Sequence, residues 1–403
     1  MRILLVGNYV ADRQQSMLRF DAMMKAGLRE AGYPARIIRP EMRLGGFGKA
    51  RRGLSKWLGY VDKFVLFPAR LRAASASVDV VHICDHGYSL YAKHLDAVPC
   101  VVTCHDLISV RCARGEIPGQ QTRWSGRKYQ QMIVNGLERA RSVACDSEAT
   151  RSDFLRLCRL AASKVPIIHV ALNPVYRPAA EAERAARLAR LGMDLKGRFV
   201  LHVGASWYKN RSGVIKIFQH LVQNIRAQDL GLVMVGGNWT ADLNSLVQKL
   251  GLAHRIRLFS DLDNEDLRAL YSTAIALLFP SLYEGFGWPI IEAQACGCPV
   301  FTSNRPPMTE VGGDGAVYID PEQPKQAAAT ILENLPHAQR MLEAGFVNVV
   351  RFSVDRMIAG YLKLYADALR PPSTGASQDV AHSIEVAEVS TASGKRYPLS
   401  QRS

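Results

Sequence analysis

Two carboxylates flank a glycine-rich turn in the stretch LFPSLYEGFGWPIIEAQACGCPVFTS, residues 278–303. Glu284 and Glu292 stand eight positions apart, with the letters GFGWP between them. The apolar runs at both ends predict a strand, a turn, a short helix and a second strand. Pro289 suits the first turn of that helix, where its missing N–H breaks no hydrogen bond. Gly297 and Pro299 are expected to end the helix.

The turn and the start of the helix supply groups that bind an anion and a polyol. Free backbone N–H groups at a helix N-terminus favour an anion such as a diphosphate, and Gly285 and Gly287 let the backbone approach it closely. A phosphate would repel Glu292, so this carboxylate is expected to accept hydrogen bonds from hydroxyls, of which a ribose diol offers two. Glu284 would reach another hydroxyl-rich group. The pattern predicts a sugar nucleotide, and the alternative is that both glutamates are surface or capping groups.

Short apolar runs that alternate with helical patterns must position this segment. RILLVG, ARIIRP, DVVHIC, CVVTCHD and SVACDS have the composition of buried strands. After a charged helical linker the pattern restarts with RFVLHVGAS, GLVMVGG, IRLFSD, IALLFPS and PVFTS. Such alternation is typical of parallel sheets covered by helices on both faces. It predicts an α/β chain of two doubly wound, Rossmann-like domains that face a cleft, with ligands at the carboxyl ends of the strands.

The 403 residues divide into four predicted parts. Residues 1–178 form an N-terminal domain and residues 190–355 a C-terminal domain that carries the glycine-rich turn. Residues 356–370 are expected to form a helix that crosses back to the N-terminal domain. Residues 371–403 are rich in Ser, Thr, Ala and Pro and lack a sustained apolar period, so they are expected to be a disordered tail.

The positive charge is concentrated in the N-terminal half. Of the formal net charge of +15, residues 1–178 carry +14 (28 Lys and Arg against 14 Asp and Glu), and the remainder carries +1 (23 against 22). A solvated basic surface, an anionic membrane surface and nucleic acid each explain such an excess. The chain lacks the aromatic and basic motifs of RNA or single-strand binding, so no nucleic-acid partner is expected. The eight cysteines show no metal-ligand spacing and are expected to be reduced, in a cytosolic protein.

The string EGFGWPIIEAQACGCPV resembles the retaining glycosyltransferases of the GT-B fold, in the large group called family 4. It matches every fixed position of the family pattern E-G-F-G-x-P-x-x-E-A-x-A-x-G-x-P-V. The resemblance extends over roughly residues 1–370 and includes VDVVHICDHG, VVTCHDLI, ARSVACDSEATRSDF, HVGASWYKNRSGVIKIF and VMVGGNW. It implies transfer of a sugar, with retention at the anomeric carbon, from a UDP- or GDP-linked donor to a glycan or lipid-linked acceptor. Assembly of a cell-surface polysaccharide or lipopolysaccharide is the expected setting.

The resemblance places the donor site on the C-terminal domain. In HVGASWYKN, Gly204 ends a strand and Lys209 matches the family lysine that holds the donor diphosphate. The family often has an arginine directly after the glycine, where this chain has Ala205, and Arg211 is the candidate replacement. The other donor-binding candidates come from the glycine-rich turn and its helix: Glu284, Gly285, Phe286, Gly287 and Glu292.

The resemblance also assigns roles in the N-terminal domain. His105, at the end of the strand in TCHDL, is expected to line the cleft near the donor sugar and to be catalytic together with Lys209 and Glu284. Asp106 is expected to tie down its loop, and His86 in CDHG either lines the acceptor pocket or is structural. Many relatives have a glycine pair after the first strand, where this chain has GNYVADRQQSM. The acceptor-side candidates are therefore Gly7, Asn8, His86 and Asp106.

No metal ion is expected, because the sequence shows no convincing metal site. No cofactor is expected either, because the nucleotide sugar is a substrate. The letters DLD at 261–263 match a D-x-D metal motif, but the resemblance places them in a turn after a strand. The sequence offers no strong candidate for a covalent nucleophile, and the resemblance implies a same-face displacement in which the leaving phosphate helps to remove the acceptor proton. A GT-B sugar-nucleotide epimerase or hydrolase is the main alternative. A dinucleotide oxidoreductase is not expected, because VGNYVA lacks G-x-G-x-x-G.

A basic segment at residues 43–72 holds eight Lys or Arg and one acid. Five of its apolar residues follow helical spacing and form one stripe: Leu54, Trp57, Leu58, Val61 and Val65. The stripe predicts either a helix packed on the N-terminal sheet or an interfacial helix on anionic lipid, which residues 111–128 would extend. Pro68 is expected to end or kink the helix. The expected location is the cytoplasm, with peripheral contact on the inner face of the plasma membrane.

Overall fold

Two parallel β-sheets form the framework of the protein. The computed structural model describes residues 1–12, 14–43, 58–193 and 197–371, apart from the side chain of residue 226. The strands of the N-terminal sheet are β1 (Ile3–Val6), β2 (Ala35–Ile38), β3 (Val80–Ile83), β4 (Cys100–Cys104) and β5 (Ser142–Cys145). Those of the C-terminal sheet are β6 (Phe199–Val203), β7 (Gly231–Val235), β8 (Ile256–Phe259), β9 (Ala276–Phe279), β10 (Val300–Ser303) and β11 (Ala316–Ile319).

The strand orders are those of doubly wound sheets. The N-terminal sheet runs β2-β1-β3-β4-β5 and the C-terminal sheet β11-β10-β9-β6-β7-β8, with every neighbouring pair parallel. The prediction of two parallel-sheet α/β domains is confirmed. The sequence pattern located ten of the strands and missed β11, a short edge strand that only half buries its centre.

The helices of the N-terminal part alternate with its strands. They are α1 (Gln15–Glu30), α2 (Phe67–Ser75), α3 (Ile108–Ala113), α4 (Trp124–Arg139), α5 (Glu148–Leu157) and α6 (Glu181–Arg190). The 3₁₀ helix His86–His94 follows β3, and a π-helical turn spans Asp62–Leu66.

The helices of the C-terminal part repeat this arrangement. They are α7 (Arg211–Val222), α8 (Ala241–Lys249), α9 (Asn264–Thr273), α10 (Trp288–Ala295), α11 (Met308–Gly312), α12 (Pro324–Asn334), α13 (Ala338–Val349) and α14 (Val354–Leu369). A short 3₁₀ helix, Trp207–Lys209, lies between β6 and α7.

Both sheets bury both of their faces. Ile3 and Leu5 of β1 belong to one apolar cluster, whereas Leu4 and Val6 belong to another. Successive side chains of a strand point to opposite faces, so this alternation requires apolar residues at every position. The first cluster continues from α1 through α14 to β6, β9 and α10, so it joins the two sheets, and residues 1–369 form one compact unit.

The basic segment is described only in its second part. Residues 44–57, which include Leu54 and Trp57 of the predicted stripe, lie outside the described residues, as do residues 372–403 of the predicted tail. Helical structure runs through Pro68 to Ser75, so Pro68 does not end the helix, and of the two predicted outcomes only a kink remains. The wide π turn just before Pro68 accommodates this proline, which has no backbone N–H to donate. Inside the turn, the Tyr91 hydroxyl donates to the Lys63 carbonyl (2.9 Å).

The last helix, α14, is joined to the N-terminal sheet by a buried hydrogen-bond network. Tyr361 and Tyr365 stand one turn apart on the same helix face. His82 on β3 bonds to Tyr365 (2.7 Å) and to Thr103 on β4 (2.8 Å), and Thr103 bonds to Tyr361 (2.7 Å). Burial, together with the nearby charge of His105, lowers the pKa of His82 to about 3. The imidazole is therefore neutral, with one nitrogen donating and the other accepting.

Acid is expected to destabilise the fold through His82. Its folded-state pKa lies below the unfolded value, so below about pH 6.5 the unfolded chain binds a proton that the folded chain does not. The contribution of His82 to stability should therefore be complete above pH 6.5 and be lost steadily as the pH approaches 3. Thermal unfolding midpoints of the wild type between pH 7.5 and 4 measure this dependence.

The variant His82→Gln should be less stable at pH 7 but should show a shallower fall with acid. Buried His202, whose pKa is lowered to about 4, accounts for part of the acid dependence that remains in this variant. The exposed His337→Gln serves as the matched control and should keep the wild-type slope. An unchanged slope in His82→Gln would contradict this assignment.

Candidate active site

The glycine-rich turn, residues 284–287, joins the carboxyl ends of the two sheets. It follows β9, and its Gly285 carbonyl accepts hydrogen bonds from the hydroxyls of Ser147 (2.6 Å) and Thr150 (3.0 Å) at the start of α5. Ser147 is also the N-cap of α5, where it accepts from the Thr150 N–H. The sequence analysis missed both residues, although a serine just before a helix is a recognisable capping position.

Gly285 has no room for a side chain. A Cβ at this position would lie 1.8 Å from the His105 carbonyl oxygen and 2.8 Å from the Asp106 Cβ. The predicted close approach of Gly285 is therefore an approach to the backbone of the opposite domain. Because any Cβ would push the turn away, glycine is required for the two domains to meet here.

Lys209 and Glu284 form a largely buried ion pair within the cleft. The Lys209 Nζ lies 2.6 Å from a Glu284 oxygen, and the side chains are 15% and 7% exposed. The ammonium also lies 4.7 Å from the centre of the Phe279 ring. Gly204, at φ +134°, leaves the space that the lysine stem fills, since a Cβ there would lie 2.7 Å from the Lys209 Cγ. The structure thus brings together three residues that the sequence predicted to act together.

Asn210 fixes the position of Lys209, and the sequence analysis overlooked it. It adopts the left-handed conformation (φ 55°), and its side chain accepts from the Gly213 N–H and caps α7. Its amide donates to the carbonyls of Pro280 (3.0 Å) and Pro321 (3.2 Å). An asparagine directly before a helix is a capping signal, but its second role depends on strands that are distant in sequence.

His105 lies at the cleft with both ring nitrogens bound to protein. Nδ1 lies 2.6 Å from Asp146, and Nε2 donates to the Cys84 carbonyl (2.9 Å). Burial alone would lower the pKa of His105, but Asp146 and Asp85 outweigh it and raise the pKa to about 9. The ring is therefore a fixed imidazolium. Both ring nitrogens have protein partners, and the expected place of His105 near the donor sugar stays a prediction.

Asp85 and Asp146 were missed because each follows its strand without a recognisable motif. Burial raises the pKa of Asp85, yet the imidazoles of His86 and His105 lower it overall. His86 Nδ1 lies 3.4 Å from Asp85. Asn8 donates to Asp85 (2.5 Å), so the predicted acceptor-side residues Asn8 and His86 meet around a carboxylate that the sequence did not single out.

Gly7 has a structural reason to be glycine. A Cβ there would lie 2.3 Å from an Asp21 oxygen and 2.9 Å from the Arg39 Nε. Asp21 and Arg39 form an ion pair at 2.7 Å behind the first turn. Asp106 caps its own loop by accepting from the Ile108 N–H (2.9 Å).

Glu292 faces the N-terminal domain, where both of its oxygens have protein partners. Arg19 of α1 donates to one (3.2 Å) and the Tyr271 hydroxyl to the other (3.0 Å). Burial raises the pKa of Glu292, although Arg19 and Tyr271 oppose this shift. The expected contact with a ribose diol would require these bonds to be exchanged. Arg19 was missed because only the fold brings α1 to this helix.

Phe286 and Gly287 complete the glycine-rich turn. Phe286 is buried, with its ring 5.4 Å from that of Phe352, and its donor contact stays a prediction. Gly287 adopts φ 103° as the N-cap of α10 and leaves that helix start without a side-chain cap.

Arg211 begins α7 as a buried cation without a carboxylate partner in the described residues. One nitrogen donates to the Asn238 carbonyl (3.0 Å), and the guanidinium lies 5.5 Å from the centre of the Trp239 ring. Burial lowers its pKa. Two of its nitrogens have no hydrogen-bond partner, so it remains a candidate for an anion contact.

The D-x-D letters form part of a helix cap. Asp263 accepts from the Asp266 N–H (2.7 Å) at the start of α9 and is paired with Arg187 and Arg190. In the described parts of the chain, no group of three or more His, Cys, Asp or Glu side chains is arranged to hold a metal ion.

Two family models match the chain in series. Residues 24–175 match the model described as Glycosyltransferase Family 4, and residues 184–345 match the one described as Glycosyl transferases group 1. Together these matches cover most of both domains.

Curated relatives align over part of their length. O-antigen chain mannosyltransferase B of Escherichia coli is 30% identical over 254 residues, which is 62% of this chain and 64% of that protein. D-inositol 3-phosphate glycosyltransferase of Salinispora arenicola is 27% identical over 299 residues, 69% of this chain and 65% of that protein. The chain thus spans just under two-thirds of the length of these two relatives.

Solved structures share the fold. HepE of Anabaena, in complex with UDP and glucose, superposes with a TM-score of 0.68 at 16% identity and covers 91% of this chain and 99% of that one. Sucrose-phosphate synthase of Thermosynechococcus elongatus gives 0.70 at 19% identity, over 91% and 98%. Because the two family models together cover most of both domains and the fold agrees with them, the chain belongs to the GT-B glycosyltransferases of family 4, the glycosyl transferases group 1.

Proposed function

We propose that the protein is a retaining glycosyltransferase that moves a sugar from a UDP- or GDP-linked donor to a glycan or lipid-linked acceptor. The observation that carries this proposal is the pair of Lys209 and Glu284, 2.6 Å apart beside the glycine-rich turn. A cation and a carboxylate in one cleft suit the two parts of a nucleotide sugar, its diphosphate and its hydroxyls. The family membership of the chain supports the same function.

Donor binding in this proposal exchanges the partners of Lys209. The diphosphate takes the ammonium as its main contact, and the carboxylate of Glu284 turns to the hydroxyls of the donor sugar. The first N–H groups of α10, which have no side-chain cap, supply further donors to the phosphates. Arg211, with two unpartnered nitrogens, is the proposed second cation in place of the family arginine.

The proposed chemistry is a same-face displacement. The acceptor hydroxyl attacks the anomeric carbon on the side from which the nucleoside diphosphate leaves, and a phosphate oxygen of the leaving group takes the hydroxyl proton. Lys209 stabilises the negative charge that develops on the leaving group. The imidazolium of His105 is held in place by Asp146, so it contributes a fixed positive charge and holds the loop on which the turn rests.

The proposed setting is the assembly of a cell-surface polysaccharide or lipopolysaccharide. Two relatives are O-antigen chain mannosyltransferases by name, and the second, RfbU of Salmonella typhimurium, is 36% identical over 148 residues. The net charge of +14 on residues 1–178 suits an acceptor carried on an anionic membrane.

The proposed location is the cytoplasm, with peripheral contact on the inner face of the plasma membrane. Of the helices that the structure describes, none is both long and apolar enough to cross a membrane. Val65 and Leu66, in the described part of the basic segment, are 66% and 36% exposed. Exposed apolar side chains beside a basic stretch suit interfacial docking.

Removing the charge of Lys209 tests the donor site. Lys209→Met is expected to weaken binding of the preferred nucleotide, UDP or GDP, by at least about tenfold, because a hydrogen bond to a charged group contributes roughly 1.5–3 kcal/mol. Titration calorimetry measures the change. The matched control is Lys216→Met on the exposed face of α7, which should bind like the wild type.

A thermal-shift panel of UDP, GDP and ADP identifies the base, since a nucleotide at 100 times its dissociation constant stabilises by about 2.7 kcal/mol. Wild-type affinity in Lys209→Met would remove the proposed donor site. Stabilisation by none of the three nucleotides would count against the proposed function as a whole.

Turnover is expected to survive an excess of EDTA, because Lys209 and the start of α10 are proposed to hold the diphosphate. Sugar transfer from the donor that the panel identifies is measured with and without chelator. Loss of transfer with EDTA, restored by magnesium or manganese, would refute metal independence and direct attention back to Asp261 and Asp263.

Vesicle co-sedimentation tests the membrane proposal. We expect salt-reversible binding to anionic vesicles, reduced when Arg51, Arg52 and Lys56 are changed to Glu, because each basic residue near such a surface contributes about 1 kcal/mol. The matched control changes three exposed lysines of the C-terminal domain to Glu: Lys216, Lys249 and Lys325. Equal binding to neutral and anionic vesicles, or none to either, would exclude the idea.

A further inference from the structure

A cavity of about 240 Å³ lies between the two domains, beside the glycine-rich turn. The loop after β4 and the helices α3 and α4 form its N-terminal wall, and the 3₁₀ helix Trp207–Lys209 forms the opposite wall. The volume is below the roughly 300–1,000 Å³ of pockets for drug-sized ligands, so it suits a single sugar ring.

Three uncharged polar side chains in this cavity lack protein partners. Ser109, Thr122 and Gln130 line it, and their side chains form no hydrogen bond with the described residues. Asp106 lines it too and has one oxygen committed to the Ile108 N–H. Convergent hydroxyl, amide and carboxylate groups offer both donors and acceptors, as the hydroxyls of a sugar require.

The opposite wall is aromatic. Trp207 is 41% exposed, and its ring centre lies 5.7 Å from that of Tyr283, which restricts its orientation. Tyr208 completes the wall. An aromatic face opposite a few polar groups is the usual composition of a small-molecule site, and it suits the apolar C–H face of a pyranose.

The charge of the lining selects a neutral ligand. Neither lysine nor arginine is among the side chains that line the cavity, and Asp106 is its one carboxylate. An anionic sugar or a phosphate would meet this carboxylate with no cation among the side chains that line the cavity. The diphosphate of a donor therefore belongs at Lys209 and not here.

The cavity adjoins the proposed donor site. Tyr208 directly precedes Lys209, and its carbonyl accepts from the Leu282 N–H (2.7 Å) just before the glycine-rich turn. Burial and then the carboxylates of Glu284 and Asp106 raise the pKa of Tyr208 to about 12, so the charges of both carboxylates act on this phenol.

We propose that this cavity binds the accepting sugar unit as a neutral hexopyranose, packed on Trp207 and hydrogen-bonded to Asp106, Thr122 and Gln130. The identification as an acceptor site rests on the proposed function, whereas the binding of a neutral sugar rests on the cavity itself.

Cys112 provides a direct readout of occupancy. It lines the cavity and is the one cysteine of the eight that is not buried. With UDP or GDP present, methyl α-D-mannopyranoside and methyl α-D-glucopyranoside are tested for protection of Cys112 from iodoacetamide. A bound glycoside at ten times its dissociation constant should slow alkylation about tenfold by mass action. The anionic methyl α-D-glucopyranosiduronate should give no protection.

Trp207→Ala and Gln130→Leu should each lose the protection. Trp124→Ala should keep it, because this tryptophan, 74% exposed, does not line the cavity. Thermal shifts with UDP and GDP are measured on every variant and should remain at the wild-type value in Gln130→Leu.

Protection of the wild type that both cavity variants lose supports the site. Nucleotide stabilisation without protection by either neutral glycoside overturns the cavity proposal and leaves the proposed function standing. Protection without stabilisation by any nucleotide supports the sugar site and counts against the transferase. Equal protection by the glucuronide, or protection that persists in both cavity variants, overturns the proposal of a neutral sugar on Trp207.

Discussion

The contact of Gly285 with the backbone of the N-terminal domain sets the geometry of the whole cleft. Its carbonyl is held by the hydroxyls of Ser147 and Thr150, and its α-carbon rests where any side chain would strike the His105 carbonyl. The catalytic candidates of one domain are thereby placed against the loop of the other. Lys209 and Glu284 come from the C-terminal domain and His105 from the N-terminal domain, so the site exists only while this contact is made.

Buried polar networks, and not apolar packing alone, join the strands of the N-terminal sheet to one another and to the helix α14. The neutral imidazole of His82 joins β3 and β4 to α14, and the charged imidazole of His105 joins β4 to Asp146 after β5. Two histidines in one sheet thus have opposite protonation. His82 is surrounded by hydroxyls and His105 by carboxylates. Because both rings are buried, these neighbours decide whether each ring is protonated.

The cations of the cleft are paired with carboxylates of the protein itself. Lys209 is neutralised by Glu284, and Arg19 by Glu292, at 2.6 and 3.2 Å. A buried charge without a partner is costly, so the protein supplies its own counter-charges. In the proposed function, a diphosphate at Lys209 competes with Glu284, and this competition couples recognition of the phosphate to release of a carboxylate for the sugar.

The sequence by itself determined most of the strands, the family and the segment that carries the glycine-rich turn. Apolar runs at the right spacing predicted ten of the eleven strands in the described residues, and EGFGWPIIEAQACGCPV predicted the turn and the start of the helix, because these properties depend on residues close together in the chain. Only the tertiary structure decided which residues form hydrogen bonds across the cleft. Arg19 is 273 positions from Glu292, and Ser147 is 138 from Gly285, so no local pattern links them. Edge strand β11 was missed although its residues AVYI are apolar and although β2 and β8, which are less buried, were located. The side chains that line the cavity beside Trp207 come from both domains and become one surface only when the fold brings them together.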